Sequence, residues 1–388
     1  MNERRVRSLM EENRLDALVL STPENILYFS GFSSFNQKLF RDYEVYVVYP
    51  IDKSIDPLLI TGISEADVVS TSNTKIKDVR FHGTFYVEHR GRKLHNAEER
   101  LLTLLSGKTY KTASEALTDS LKERGLDKQS VGCDSDVVYG NLTKSLPQTK
   151  LFNARSLTRL MRAVKTEEEV EKLGRAAEIT EKAILRSAEI LRAGVSVKEV
   201  AEAVEAYVRQ NGGQPAAMVI GSHDNAAFPN ASPSTHRLEK GDIVRYDIGI
   251  IYQNYYADLG RTAFVGEPST ELKNTYRALQ RGLEAEKESI RPGVKASQLF
   301  NVAVETVRMN GLSHYRRHHC GHGIGLELYD VPIIRPDDHT VVEEGMVLNI
   351  ETPYYELGFG GIIIEDTLVV KGDGVEMLSK TSNDAIII

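Results

Sequence analysis

Two stretches of this chain repeat each other, and that repeat constrains the fold more than any other feature. Arg192-Ala-Gly-Val195 precedes a helical pattern closing on Val208-Arg-Gln-Asn-Gly212, and Arg291-Pro-Gly-Val294 precedes one closing on Val307-Arg-Met-Asn-Gly311. The segments share Arg, Gly, Val, Val, Arg, Asn and Gly without a gap, at an offset of 99 residues (291 against 192). Downstream, LEKGDIVRYDIG (238–249) lines up with VEEGMVLNIETP (342–353), setting Gly241 on Gly345 and Asp247 on Glu351. Ala257-Asp-Leu-Gly-Arg-Thr262 falls roughly where Ile364-Glu-Asp-Thr367 does. Carboxylates falling on carboxylates point to an ancient duplication. The region is therefore expected to have internal pseudo-twofold symmetry, with a site built from both halves.

Four acidic residues share an unusual context. Asp247 lies in the apolar strand pattern IVRYDIGIIY and Asp258 in YYADLGRTAFV; Glu351 ends MVLNIE, and Glu365 interrupts GGIIIEDTLVV. A carboxylate buried without a partner costs several kcal/mol, and its pKa rises until it is neutral. Any one of these could be a satisfied acid at a sheet end. Four in repeat-related pairs need positive charge to coexist. No lysine or arginine run accompanies them, so divalent metal is the economical answer.

The stretch Cys320-Gly-His-Gly-Ile-Gly-Leu-Glu-Leu-Tyr-Asp330 adds the softer donor. A histidine among glycines is commonly a turn or core residue, but His322 precedes a strand in the same repeat as Glu351 and Glu365. Tyr329 is read on that same short strand, packing on its face or serving the site. One imidazole with four carboxylates is an oxygen-rich set, suited to Mn2+ or Co2+ first and Fe2+ or Zn2+ next. Five side chains are too many for one catalytic ion and suit two divalent metal ions about 3.5–4 Å apart, sharing bridging carboxylates.

The preceding part alternates helix and strand: a helix at 3–14, strands at 17–21, 44–50 and 57–61, and a helix at 96–105. This is the pattern of an α/β domain with a partly parallel sheet. Nothing in it gathers histidines and carboxylates at metal-ligand spacing, so a structural or dimerising role is expected. Near residue 160 the pattern changes. Thr166 and Glu169 form a capping box ahead of the stripe Val170, Leu173, Ala177, Ile184, Ala188, Leu191, and Gly194 stops the run. Domains are expected at 1–155 and 156–388.

Partners are bounded by composition. A net charge of −7 argues against nucleic acid. No apolar run is long enough for a bilayer, so no membrane partner is expected. The two cysteines, Cys133 and Cys320, imply no disulfide framework, and the N-terminal segment has no signal-peptide core. A cytoplasmic location is expected.

With these residues in hand, the chain resembles the creatinase/prolidase/methionine aminopeptidase superfamily, the pita-bread fold, over nearly its whole length. RRVRSLMEENRLDALVLSTPENILYFSGF is similar to the creatinase-type N-terminal domain. YDIG with Asp247, ADLGRT with Asp258, GHGIGLE with His322, NIET with Glu351 and IED with Glu365 match the metallopeptidase pattern, at separations of 11, 64, 29 and 14 residues. The resemblance implies a creatinase-like α/β domain followed by a pseudo-twofold pita-bread catalytic domain, an α/β (α+β) chain forming a homodimer. It implies that Asp247 chelates one metal, Asp258 and Glu365 bridge the pair, and His322 and Glu351 complete the other. It further implies a bridging water as nucleophile, Glu351 as acid/base shuttle, and hydrolysis of peptide bonds next to proline by an Xaa-Pro dipeptidase or aminopeptidase.

Substrate-binding positions depart from the pattern. His318 matches a non-ligand histidine four residues before the metal histidine, but Asn230 and Tyr329 stand where relatives carry histidines. Asparagine cannot shuttle a proton, and tyrosine at pH 7 is a donor rather than a base. Ile333 and Ile363 replace frequent arginines, with Arg335 as a candidate substitute. Two alternatives follow: the same metal site acting on a small non-peptide amide or related C–N or C–S compound, and a non-catalytic binding protein on this fold.

Overall fold

Ala17–Leu20 is buried at every position, as a central strand of a mixed sheet must be. The computed structural model describes residues 1–388 apart from Arg41. In the N-terminal unit the strands are β1 (Ala17–Leu20), β2 (Tyr46–Pro50), β3 (Leu58–Gly62), β4 (Asp78–His82), β5 (Thr109–Tyr110), β6 (Ser130–Cys133) and β7 (Lys150–Asn153). They form one sheet in the order β5-β4-β3-β2-β1-β6-β7. β1–β2 and β2–β3 are antiparallel and the other pairings parallel, so the expected α/β class and partly parallel sheet are both present. Parallel neighbours require crossovers, supplied by helices including Asn96–Leu105, Ala113–Glu123 and Asp136–Ser145. The first helix stops at Glu12, two residues short of expectation, because Arg14 turns into the left-handed region (φ 54°).

The chain divides into two units, Met1–Arg162 and Ala163–Ile388. The expected boundary at 155/156 falls at the start of the helix Arg155–Ala163, seven residues earlier.

The second unit carries the duplication. Its first half runs helix Glu167–Ala188, helix Val197–Gln210, then β8 (Gln214–Ser222), β9 (Ile243–Tyr252) and β10 (Tyr255–Phe264). The second half runs helix Thr270–Ser289, helix Ala296–Met309, then β11 (Gly321–Gly323), β12 (Asp330–Ile333), β13 (Val347–Glu351), β14 (Tyr354–Glu356), β15 (Gly360–Ile362), β16 (Glu365–Lys371) and β17 (Gly374–Met377); β18 (Ile386–Ile387) returns to the first sheet. The sheets are β18-β10-β9-β8 and β12-β11-β13-β16-β17, with β14–β15 a separate ribbon. Thr166 caps its helix with Glu169, and Ser196 caps the next with Glu199, each satisfying backbone N–H groups at a helix start.

The backbone itself repeats. Gly194 N–H donates to Leu238 O and Gly293 N–H to Val342 O; Leu238 N–H donates to Val195 O and Val342 N–H to Val294 O; Gly241 N–H donates to Val265 O and Gly345 N–H to Val370 O. Gly241 and Gly345 turn at φ 104° and 84°, which a side chain would oppose, so glycine at both equivalent positions follows from the turn. A buried apolar core packs Leu279 and Phe300 of the second-half helices with Leu348 and Ile350 of β13 and with Ile364. Among the described residues no helix is long and apolar enough to cross a membrane.

Candidate metal centre

Strand register brings the four carboxylates together. On the β9–β10 pair, Asp247 lies opposite Gly260, so it shares a face with Asp258, two residues from that glycine. On β13–β16, Glu351 lies directly opposite Glu365. His322 on β11 lies opposite Asn349 of β13, which puts the imidazole on the face of Glu351. Glu365 does not interrupt a continuous strand as expected: β15 ends at Ile362 and β16 begins on Glu365 itself.

The two sheets touch at a glycine. A Cβ on Gly260 would stand 2.6 Å from Ile363 Cγ1 and 3.0 Å from Glu365 Cβ, so only glycine lets β10 approach the start of β16. As a result, single donor atoms of Asp258, His322 and Glu365 all lie within 4.8 Å of one another.

The electrostatics are those of a site short of positive charge. Burial, then the charge of neighbouring carboxylates, pushes Asp258 and Glu365 well above the ordinary carboxyl range. Burial also pushes Asp247 up to about 6, opposed by Arg245 and reinforced by Glu351. Glu351 goes the other way. Burial would raise it, but His319, with Nδ1 at 2.8 Å from Oε1, and the Arg317 guanidinium outweigh that and hold it low. His322, pushed down to about 4 chiefly by burial, is neutral at pH 7. Its Nδ1–H donates to Gly323 O at 3.0 Å, since a carbonyl can only accept, which leaves the Nε2 lone pair facing Asp258 Oδ2 at 3.8 Å.

This donor set fits divalent cations. Glu365 Oε1 accepts from Asn349 Nδ2 at 2.6 Å, and Asn349 is oriented by Thr367 Oγ1 at 2.6 Å. Glu365 Oε2 is buried with no hydrogen-bond partner among the described residues. An ionised oxygen in that position costs several kcal/mol unless a cation meets it.

No lysine or arginine run accompanies the carboxylates, but two single arginines reach them. Arg245, with its side chain fully buried, has Nη1 at 3.4 Å from Asp247 Oδ2; Arg317 Nη2 is 3.5 Å from Glu351 Oε1. Arg245 also donates to Ala226 O, Phe228 O and Pro229 O, tying the turn that bears Asn230 to the strand that bears Asp247. The Tyr355 ring centroid lies 5.0 Å from Arg245 Cζ and 5.9 Å from Arg317 Cζ. Strand alternation was the available signal for Arg245, two residues before Asp247. Arg317 sits in an irregular loop with no periodicity to read. Neither arginine pairs with Asp258 or Glu365 among the described residues, so those two carboxylates are the ones that need a cation.

His318 is exposed and edge-on to His319, with ring centroids 4.2 Å apart. His319, which the sequence reading passed over, is the buried one, with Nδ1 at 2.8 Å from Glu351 Oε1. Tyr329 is not on the strand of His322: β11 ends at Gly323, and Tyr329 lies in the following loop, because the glycine-rich run 321–325 leaves the strand after three residues. Its ring instead stacks on the His322 imidazole, centroids 3.8 Å apart and 19° from parallel. Asn230 is exposed in the turn after Pro229. Ile363 is buried against Gly260, and Arg335 is half exposed and paired with Asp337 at 3.1 Å.

Comparison with known proteins agrees with this architecture. The model for metallopeptidase family M24 matches residues 171–372, and that for the creatinase/prolidase N-terminal domain matches 4–164. A Xaa-Pro dipeptidase of Pyrococcus horikoshii is 35% identical over 266 residues, covering 66% of this chain and 75% of that protein. The Xaa-Pro dipeptidase of Pyrococcus furiosus is 29% identical over 382 residues, 97% of each. Among solved structures, prolidase from Pyrococcus furiosus superposes with a TM-score of 0.77 at 27% identity, covering 97% of this chain and 99% of that one. X-Pro aminopeptidase from Thermotoga maritima does so at 0.79 and 25% identity, covering 99% and 100%. The paired sheets, the buried acids facing across them and these matches lead to one conclusion: the chain belongs to metallopeptidase family M24, a metallo-hydrolase with a creatinase/prolidase N-terminal domain ahead of a pita-bread catalytic domain.

Proposed function

We propose that the chain cleaves the peptide bond preceding proline in small peptides, with Asp247, Asp258, His322, Glu351 and Glu365 holding two divalent ions. The observation that carries this is the convergence of one donor atom each from Asp258, His322 and Glu365, together with the buried Glu365 Oε2 that has no hydrogen-bond partner among the described residues. The dipeptidase and prolidase relatives support the substrate class. Divalent ions bound there supply acidified water and a polarised carbonyl. The protein's own groups supply the rest. Glu351, held ionised by His319 and Arg317, accepts a proton at its carboxylate and returns it to the leaving proline nitrogen. Tyr329, whose phenol burial pushes up, acts only as a donor. His318 and Asn230 serve the rim by hydrogen bonding.

A cavity of about 330 Å3 is lined by His314, Arg316, Arg317, Pro353, Tyr354, Tyr355 and Glu356, whose carboxylate accepts from the Tyr354 hydroxyl. It shares Arg317 and Tyr355 with the surroundings of Glu351 and Asp247 and sets two guanidinium groups against the single carboxylate of Glu356, leaving net positive charge for an anionic end, the role that Ile333 and Ile363 cannot fill. A dipeptide's free carboxylate suits it. Purified protein loaded with Mn2+ or Co2+ is expected to hydrolyse X-Pro dipeptides and to lose at least ~10-fold in kcat/KM when the carboxylate is amidated, the cost of about one charge-assisted contact. Silence on X-Pro dipeptides and X-Pro-Y peptides, with metal bound by elemental analysis, overturns the reading. A small non-peptide amide is the second reading, favoured by Tyr329 covering His322; turnover in a metabolite panel with no peptide cleavage would select it. The working form is taken as a cytoplasmic homodimer, which light scattering and cell fractionation check.

A further inference from the structure

A second group of metal-ligating side chains lies outside the carboxylate centre. His223 begins the turn after β8, His236 lies in the segment leading to β9, and Asp242 immediately precedes β9. Donor atoms of all three lie within 4.8 Å of one another. His236 Nε2 is 2.8 Å from Asp242 Oδ2, and His223 Nδ1 is 3.5 Å from Asp242 Oδ1. The imidazoles stack, centroids 4.2 Å apart and 11° from parallel.

We propose that His223 Nδ1, His236 Nε2 and the Asp242 carboxylate form a separate divalent-metal site, suited to Zn2+, that pins the 223–231 turn to the start of β9. Ligand atoms around tetrahedral zinc stand about 3.3 Å apart, given metal–ligand bonds of about 2.0–2.1 Å, and the His223–Asp242 separation already matches. Two imidazoles and one carboxylate favour zinc or another borderline ion over magnesium or calcium, and three protein ligands leave a fourth position for water.

The ligands differ in readiness. Asp242 is fixed: its N–H donates to Glu239 O, and its Oδ2 accepts from Glu239 N–H at 2.8 Å. The side chains of His236 and Asp242 are largely buried, at 18% and 11% exposure, while His223, at 56%, closes the open side. His223 also holds a left-handed backbone (φ 54°), which costs a non-glycine residue energy and which a metal bond would repay.

The site is distinct from the catalytic one. Asp242 and Asp247 are five residues apart on one extended segment, about 16 Å at roughly 3.3 Å per residue, so no ion is shared. It nevertheless acts on the same neighbourhood. The turn it would pin supplies the carbonyls of Ala226, Phe228 and Pro229 to Arg245, which holds Asp247, and it carries Asn230.

The test is a count by difference. Metal-stripped protein is titrated with Zn2+ against a chromophoric chelator, wild type beside His223→Ala/His236→Ala. One fewer equivalent in the double variant is the expected result; equal counts overturn the proposal. His236→Gln, which keeps a hydrogen bond to Asp242, guards against misfolding and is likewise expected to lose one equivalent. The difference does not depend on how many ions the carboxylate centre holds, so the proposal and the peptidase reading fail separately.

Discussion

Replacing Arg245 by methionine is the sharpest test of how the site is assembled. The guanidinium donates to three carbonyls, Ala226 O at 3.3 Å, Phe228 O at 2.5 Å and Pro229 O at 3.3 Å, and pairs with Asp247 at 3.4 Å. A hydrogen bond to a charged group contributes about 1.5–3 kcal/mol, so four contacts set a gross ceiling of about 6–12 kcal/mol. Phe228 and Pro229 are exposed, so water recovers part of that. The remainder is near the about 3–5 kcal/mol typical of breaking a buried ion pair. For the unit Ala163–Ile388 at about 2–4 °C per kcal/mol, the transition should drop by about 6–20 °C in scanning calorimetry of metal-free protein. Without its guanidinium, the Asp247 carboxyl rises further and binds protons in competition with metal. Mn2+ half-saturation at pH 7 should weaken at least ~10-fold, as for other groups that orient ligands. Arg245→Lys keeps the charge without the fork and should fall between the two. A shift below about 2 °C with unchanged metal affinity would refute the reasoning, because Arg245 would then be neither a strut for the turn nor a partner of Asp247.

Three further outcomes are expected. In metal-free protein the folded pKa of Asp247, about 6, lies above its unfolded value of 3.8, so stability from its neutral form is full below about pH 4 and lost as pH rises through 6. Asp247→Asn lacks that loss, and its stability relative to wild type should grow by about 3 kcal/mol between pH 4 and 7, measured by urea denaturation at each pH; a flat difference contradicts the assignment. Gly260→Ala forces Ile363 and Glu365 aside, costing about 1–3 kcal/mol and weakening metal binding, and adding Ile363→Ala should restore part of both in the same melting and titration assays. Glu351→Gln should lower kcat by about 10²–10⁴ with the fold intact by circular dichroism, whereas Tyr329→Phe, which keeps the stacked ring, should cost less than about 5-fold; equal mild effects would mean that Glu351 is not the proton carrier.

How much of this was legible follows from where the signals lie. The duplication could be read because turn glycines and carboxylates sit at positions geometry enforces in both halves, Gly241 with Gly345 and Asp247 with Glu351. Capping chemistry marked the helix beginning at Glu167, and the helix 96–105 was legible from its apolar spacing. The strand β11 was not, because three residues carry no period, and so Tyr329 was read onto it. Arg245 was readable in principle from alternation along β9. His319, Arg317 and the group His223, His236 and Asp242 were not: they lie in irregular segments, and only tertiary structure brings them together.

The close approach at Gly260 makes the centre a seam as well as a site. Two of the acids belong to one sheet and two to the other, and at Gly260 β10 leaves room only for the Ile363 side chain against the start of β16. Ions held across that line cross-link two halves of a duplicated fold, and at a thousand times their dissociation constant they add about 4 kcal/mol to its cohesion. A chelator would then unfasten the sheets as well as silence the chemistry. Amide protons along β10 and β16 should exchange faster in metal-free protein than those on the far edges, β8 and β17, which the ions do not join.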